Sequence, residues 1–134
     1  MMNKLNQVSI SLAVLALTLT PYSSQAAKPP TKVGRCSETF VARVGTRLVD
    51  GGAGQPIEGS GTSINFTNGI YLVSYDTVPA AQASKLKDKV KMCLDSVPKN
   101  CPPGDNRGKV YKVVNYRTKG QFRMSDSQHS CGGA

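Results

Sequence analysis

The sequence predicts a mainly β fold: a small disulfide-stapled barrel or sandwich with one short helix. Three observations predict it. Short β-branched, aromatic and aliphatic runs are broken repeatedly by glycine, proline and asparagine. Four cysteines follow an export-type N-terminus. Large apolar residues are few: from residue 27 onward Leu, Ile, Val and Phe number 21 of 108. That is just under the roughly 20% level at which a highly charged chain struggles to bury a core. Covalent links are therefore expected to share the work of holding the fold.

Residues 1–26 read as a secretory signal peptide. Lys4 precedes thirteen largely apolar residues, VSISLAVLALTLT, which Pro21 ends, and Ser24-Gln25-Ala26 offers small residues for cleavage. The run is shorter than the roughly 20 residues of a membrane span. The first cysteine is Cys36, well past the cut, which argues against a lipid anchor. The expectation is a periplasmic or secreted protein with no membrane span after signal removal. Residues 27–35 form an extended lead-in and 36–134 a single β-rich domain.

Within the domain, Cys36 to Val44 and Thr46 to Val49 have the composition of two strands. DGGAGQPIEGSGT, residues 50–62, contains five glycines and reads as a mobile or ligand-facing loop. SINFTNGIYLVSYD, residues 63–76, is a hairpin: alternating residues flank Asn68-Gly69, which tolerates positive φ. Pro79 opens a helix of two or three turns within Val78 to Asp88. Lys87, Lys89 and Lys91 then alternate with Val90, Met92 and Leu94, the pattern of a lysine-guarded edge strand. KVYKVVNYRT, apolar on both sides, reads as a central strand, and Gln121 to Met124 as a last short one.

The cysteines Cys36, Cys93, Cys101 and Cys131 allow three pairings. No close Cys pair suits zinc, no Cys-x-x-Cys suits redox chemistry, and His129 stands two residues from Cys131. No metal or other cofactor is expected. The preferred pairing is Cys93–Cys101, across the turn-forming Ser96, Pro98, Lys99 and Asn100, with Cys36–Cys131 joining the domain's two ends.

Seventeen lysines and arginines stand against eight acids, and only Lys4 of these precedes residue 27, leaving a net charge of +8 after cleavage. Arg107, Lys109, Lys112, Arg117, Lys119 and Arg123 crowd the last third, interleaved with Tyr111, Tyr116 and Phe122. On one face, Arg107, Lys109, Tyr111, Lys112, Tyr116, Arg117, Lys119 and Arg123 would attract an anionic polymer. In an exported protein that partner is an envelope polysaccharide or lipid headgroup, or another exported protein, before it is nucleic acid. The favoured role is non-catalytic binding at the cell envelope.

Catalytic alternatives have little to build on. A Ser-His-acid set has only His129 to draw on, with Asp126 three residues before it, and no nucleophile elbow or phosphate loop is present. A small ribonuclease would need Glu58, His129 and one of Arg107, Arg117 or Arg123 to converge. Asn65-Phe66-Thr67 matches a glycosylation sequon, a pattern short enough to arise by chance. Ser60-Gly61 in EGSGTS resembles the Ser-Gly loop of periplasmic lysozyme inhibitors, with Ile64 where that family carries tyrosine. The resemblance implies the alternative role, a small periplasmic inhibitor of a lysozyme or protease. A basic inhibitor would be repelled by a basic lysozyme.

Overall fold

A computed structural model describes residue 16 and residues 27–133. The expected signal peptide otherwise lies outside the described residues. The described residues form six strands: β1 Cys36–Thr46, β2 Thr62–Phe66, β3 Tyr71–Ser74, β4 Lys89–Ser96, β5 Val110–Asn115 and β6 Gln121–Ser125. One helix, α1 Pro79–Gln82, lies between β3 and β4. The strands close into an antiparallel barrel in the order β1-β2-β3-β6-β5-β4. β4 thus returns beside β1 after the β1–β2–β3 meander, which is a Greek-key connection.

Period-two patterning explains the closure. Val41, Ile64, Phe66, Leu72, Val90, Met92, Leu94, Tyr111, Val113, Phe122 and Met124 are all buried in one cluster, joined by Ala81 from α1. Most of their strand neighbours face outward, Val73 beside Leu72 being a buried exception, so closing the sheet buries the whole set. β4 therefore departs from the edge-strand reading, since it pairs with both β1 and β5. Lys89 and Lys91 sit on its outer face, whereas Lys87 lies before the strand at φ 72.

β1 is a single strand rather than two. A register shift between Val41 and Arg43 bends it, so its first half pairs with β4 and its second half with β2. Gly45 is carried through the strand, and Val49 makes only an isolated bridge to Pro56. The hairpin of β2 and β3 forms as read, with Gly69 at φ 88 and the Asn68 side chain accepting a hydrogen bond from the Ile70 N–H. The glycine-rich loop is internally tied: the Asp50 carboxylate accepts the N–H groups of Gly52, Ala53, Gly54 and Gln55. Those donors, Ala53 foremost, hold its carboxyl below the usual range. Gly61 lies against the end of β3, where a Cβ would stand 2.1 Å from the Ser74 carbonyl oxygen.

α1 is one turn rather than two or three. Pro79 opens it as expected, but the Asp88 carboxylate captures the Lys85 N–H and Lys87 takes a left-handed φ, redirecting the chain into β4. Thr62, fully buried, fastens the helix start by donating to the Asp76 carbonyl and accepting from the Val78 N–H.

The disulfides correct the expected pairing: Cys36 joins Cys93, and Cys101 joins Cys131. Cys93 lies inside β4, facing outward, directly opposite Cys36 of β1. The chain stays extended through Ser96, which carries Cys101 away from Cys93 and toward the C-terminal tail. The Cys131 N–H donates to the Arg107 carbonyl and the Gly132 N–H to Asp105, so that tail is tied to the β4–β5 loop. The two covalent loops are consecutive along the chain, not nested.

Candidate functional site

The eight residues expected to form one basic and aromatic face do not do so. Tyr111 is a core side chain, with burial raising its hydroxyl pKa. Arg107 pairs with Asp105 at 2.9 Å and also donates to the Gly133 carbonyl. Lys109 donates to the Asn106 carbonyl at the same end of β5. Arg117 and Lys119 lie beyond the opposite end, in the β5–β6 turn, and Arg117 is committed to Asp88. Lys112, Tyr116 and Arg123 remain on the outer side of the sheet. Strand alternation explains the split: it sends Tyr111 inward and Lys112 outward, while β5 separates the rest by its own length.

Asp88 explains why Arg117 is structural. Its carboxylate is 8% exposed and accepts from Arg117 Nε at 2.7 Å, Arg117 Nη2 at 2.8 Å, Asn115 Nδ2 at 2.8 Å and the Lys85 N–H at 2.8 Å. Asn115, fully buried, also donates to Ser84 Oγ, and its Oδ1 accepts the N–H groups of Arg117 and Thr118. One network thereby fixes the β5–β6 turn to the segment entering β4.

The outer face of β1, β4, β5 and β6 carries two cross-strand rows. The first contains Cys36, Cys93, Lys112 and Arg123; the second contains Glu38, Lys91, Val114 and Gln121. Lys89 pairs with Glu38 at 2.7 Å, and their hydrogen bond raises the lysine pKa and lowers the glutamate's. The Tyr116 hydroxyl donates to the same Glu38. Arg123 pairs with Asp95. Lys91 and Lys112, diagonal neighbours from adjacent strands, have no carboxylate partner among the described residues.

A second grouping gathers where β3 meets β6. These strands share one register pair, Val73 with Ser125. A cleft of about 330 Å³ follows the gap, lined by Val73, Val110 and Met124 and by Ser74, Tyr75, Asp76, Arg123, Ser125, Ser127 and Gln128. Two of its lining residues hold Arg47, which leaves the end of β1. The guanidinium lies 4.3 Å from the centre of the Tyr75 ring and donates from Nη1 to Gln128 Oε1 at 2.8 Å. Its Nε donates to the Ser60 carbonyl at 2.7 Å. His129 completes the group, with Nε2 3.4 Å from the Tyr75 hydroxyl.

These contacts place the remaining expected residues. His129 meets Tyr75 rather than Asp126, whose carboxylate accepts the Gly108 and Lys109 N–H groups. Glu58 lines a different cleft with Val44, Thr46 and Gln82, so the glutamate, histidine and arginine of the ribonuclease reading do not share a cleft. Ser60 is occupied within the fold, its hydroxyl accepting the Leu48 N–H. Among the described residues no three His, Cys, Asp or Glu side chains gather as a metal site requires, and no cysteine is free.

Arg47, Tyr75 and Gln128 escape a reading by motif because they meet across sequence separations of tens of residues. The one local sign is Tyr75, an aromatic left exposed just after β3 ends. No protein-family model, curated protein or solved structure matches the chain. Two disulfides suit an oxidising, extracytoplasmic compartment, and among the described residues no helix is long and apolar enough to cross a membrane.

Proposed function

We propose that the protein is an exported, non-catalytic binding protein of the periplasm or cell envelope, and that its basic surface engages anionic partners. The observation that carries this reading is the fate of the charges. From residue 27 onward sixteen cations face eight carboxylates, and only four cations are ion-paired among the described residues. Unpaired Lys91 and Lys112 lie together on the outer face of the sheet, and Glu38, the acid across from Lys91, is already paired with Lys89. The binding surface is therefore the outer face of β4 and β5, a narrower one than the composition suggests. An anionic polymer lying across that face displaces counterions, which makes association steeply dependent on salt.

Chromatography of the purified, oxidised protein on immobilised heparin and duplex DNA tests this. Retention at low salt that collapses toward physiological salt is the expected result. Lys91→Glu/Lys112→Glu reduces the salt-dependence slope on DNA by about 2 if both lysines meet phosphate. Elution at low salt no later than a neutral protein overturns the reading, as does unchanged retention of the double variant.

A further inference from the structure

Arg47 is the one arginine that the fold holds on three sides without giving it a carboxylate. Its ring contact, its bond to Gln128 and its bond to the Ser60 carbonyl come from three separate segments of chain. A guanidinium has five N–H donors. Two are used here, so the Nη2 edge keeps its donors, and no salt bridge involves Arg47 among the described residues. Fixing an arginine in this way removes much of the rotamer entropy that binding would otherwise cost. An immobilised, uncompensated guanidinium is suited to the paired oxygens of an oxyanion.

The adjoining cleft narrows the ligand class. Its volume of about 330 Å³ lies at the small end of ligand sites. Its lining mixes apolar Val73, Val110 and Met124 with Ser74, Ser125 and Asp76. The hydroxyls of Ser74 and Ser125 accept backbone N–H groups and keep their own protons to donate, whereas Ser127 gives its proton to the His129 carbonyl. Asp76 makes no ion pair among the described residues, and its backbone rather than its carboxylate meets Ser74. A free carboxylate beside hydroxyls accepts from ligand hydroxyls, while it would repel an anion bound against it. Arg123 also lines the cleft but is neutralised by Asp95, so the charged end of the ligand lies toward Arg47 and its hydroxyl-bearing body toward Asp76. Tyr75, half exposed, lines the cleft beside Asp76, and the ring face not covered by Arg47 can meet the C–H face of a pyranose.

We infer that the β3–β6 cleft with Arg47 is a binding site for an acidic saccharide, its oxyanion on Arg47 and its hydroxyls on Asp76 and the cleft serines. This goes beyond the polyanion reading and is independent of it, because it requires one discrete cleft centred on Arg47 rather than the exposed lysine pair of β4 and β5. Surface lysines bind by total charge; this site binds one sugar residue with defined stoichiometry.

Isothermal titration of the oxidised protein at fixed physiological salt tests it with four probes: a uronate disaccharide, a hexose 6-phosphate, the neutral disaccharide of the same linkage, and inorganic phosphate. The expected result is 1:1 binding of one or both acidic sugars, with each neutral or sugar-free probe at least about 10-fold weaker, one factor of ten being one lost favourable contact. The uronate and phosphate arms decide which oxyanion is preferred. Arg47→Gln and Tyr75→Ala each weaken binding by about 10-fold or more. Tyr75 is exposed, so its variant remains informative if Arg47→Gln misfolds. No saturable binding of either acidic sugar overturns the inference. So do equal binding of the neutral sugar, inorganic phosphate binding as tightly as the sugar phosphate, or full affinity in Tyr75→Ala. A weaker salt dependence of DNA retention in Lys91→Glu/Lys112→Glu with sugar binding intact separates this site from the polyanion face.

Discussion

Replacing Asp88 with alanine should lower the folding free energy by about 3 kcal/mol, although Asp88 belongs to no site for a ligand. The magnitude follows from what the carboxylate leaves behind. The Asn115 amide, fully buried, keeps Ser84 but loses its charged acceptor, which costs about 1–2 kcal/mol. The Lys85 N–H loses its acceptor at about 1 kcal/mol. The Arg117 side chain is 45% exposed and regains water, so its share is discounted to no more than about 1 kcal/mol. In a domain of this size the total lowers Tm by about 12 °C or more. Thermal unfolding of the oxidised protein, followed by circular dichroism, measures it. Asp88→Asn should do only slightly better, since an amide nitrogen would face other donors. A shift under about 3 °C in both variants refutes the claim that this network anchors the β5–β6 turn.

The same residue sets an acid limit. Arg117, aided by Asn115 and Lys85 against the opposing effect of burial, holds the Asp88 carboxyl well below the usual carboxylate range. A lowered folded-state value means that the stabilisation is complete above about pH 4, the ordinary value of the unfolded chain. It is lost as pH falls further, through the folded-state value. The Tm gap between wild type and Asp88→Asn should therefore narrow steadily below about pH 4. A gap that widens on acidification contradicts this sign.

The remaining predictions are shorter. Peptide mapping without reductant should recover Cys36 linked to Cys93 and Cys101 linked to Cys131; a fragment joining Cys36 to Cys131 would refute the topology. Their sequence separations of 57 and 30 correspond to about 4.2 and about 3.6 kcal/mol of chain entropy, so urea midpoints should fall more for Cys36→Ala/Cys93→Ala than for Cys101→Ala/Cys131→Ala. Gly61→Ala should prevent folding or cost more than about 4 kcal/mol, because φ is 116 and the new Cβ would strike the Ser74 carbonyl; soluble protein with wild-type Tm would contradict the packing.

Much of the fold was legible because it depends on neighbours in sequence. Ile64 and Phe66 alternate with polar residues around an Asn-Gly turn, and the hairpin forms where those signals place it. Val90, Met92 and Leu94 alternate with lysines, and they point inward as the alternation requires. What failed was pairing between distant segments. A lysine row alone does not say whether a strand has one neighbour or two, so β4 reads as an edge until β1 is seen beside it. The disulfides failed for the same reason. Cys93 and Cys101 look close along the chain, yet the register of β1 against β4 decides Cys93's partner. The basic cluster of the last third holds together only in part: Lys112 and Arg123 are cross-strand neighbours, but Arg107 and Arg117 lie at opposite ends of β5, and each has its own aspartate. The group around Arg47 was invisible because Arg47, Tyr75 and Gln128 become neighbours only when the barrel closes.

That closure is uneven, and the unevenness sets the order in which the molecule can come apart. β1 and β4 are zipped over five register pairs and crossed by a sulfur bridge, whereas β3 and β6 share a single rung with no covalent tie. Thermal breathing therefore starts between β3 and β6. The β2–β3 hairpin then swings away as a flap hinged along β1, and Cys36 keeps the flap attached to the other half. Reclosing needs one rung to be remade rather than a barrel to be rebuilt.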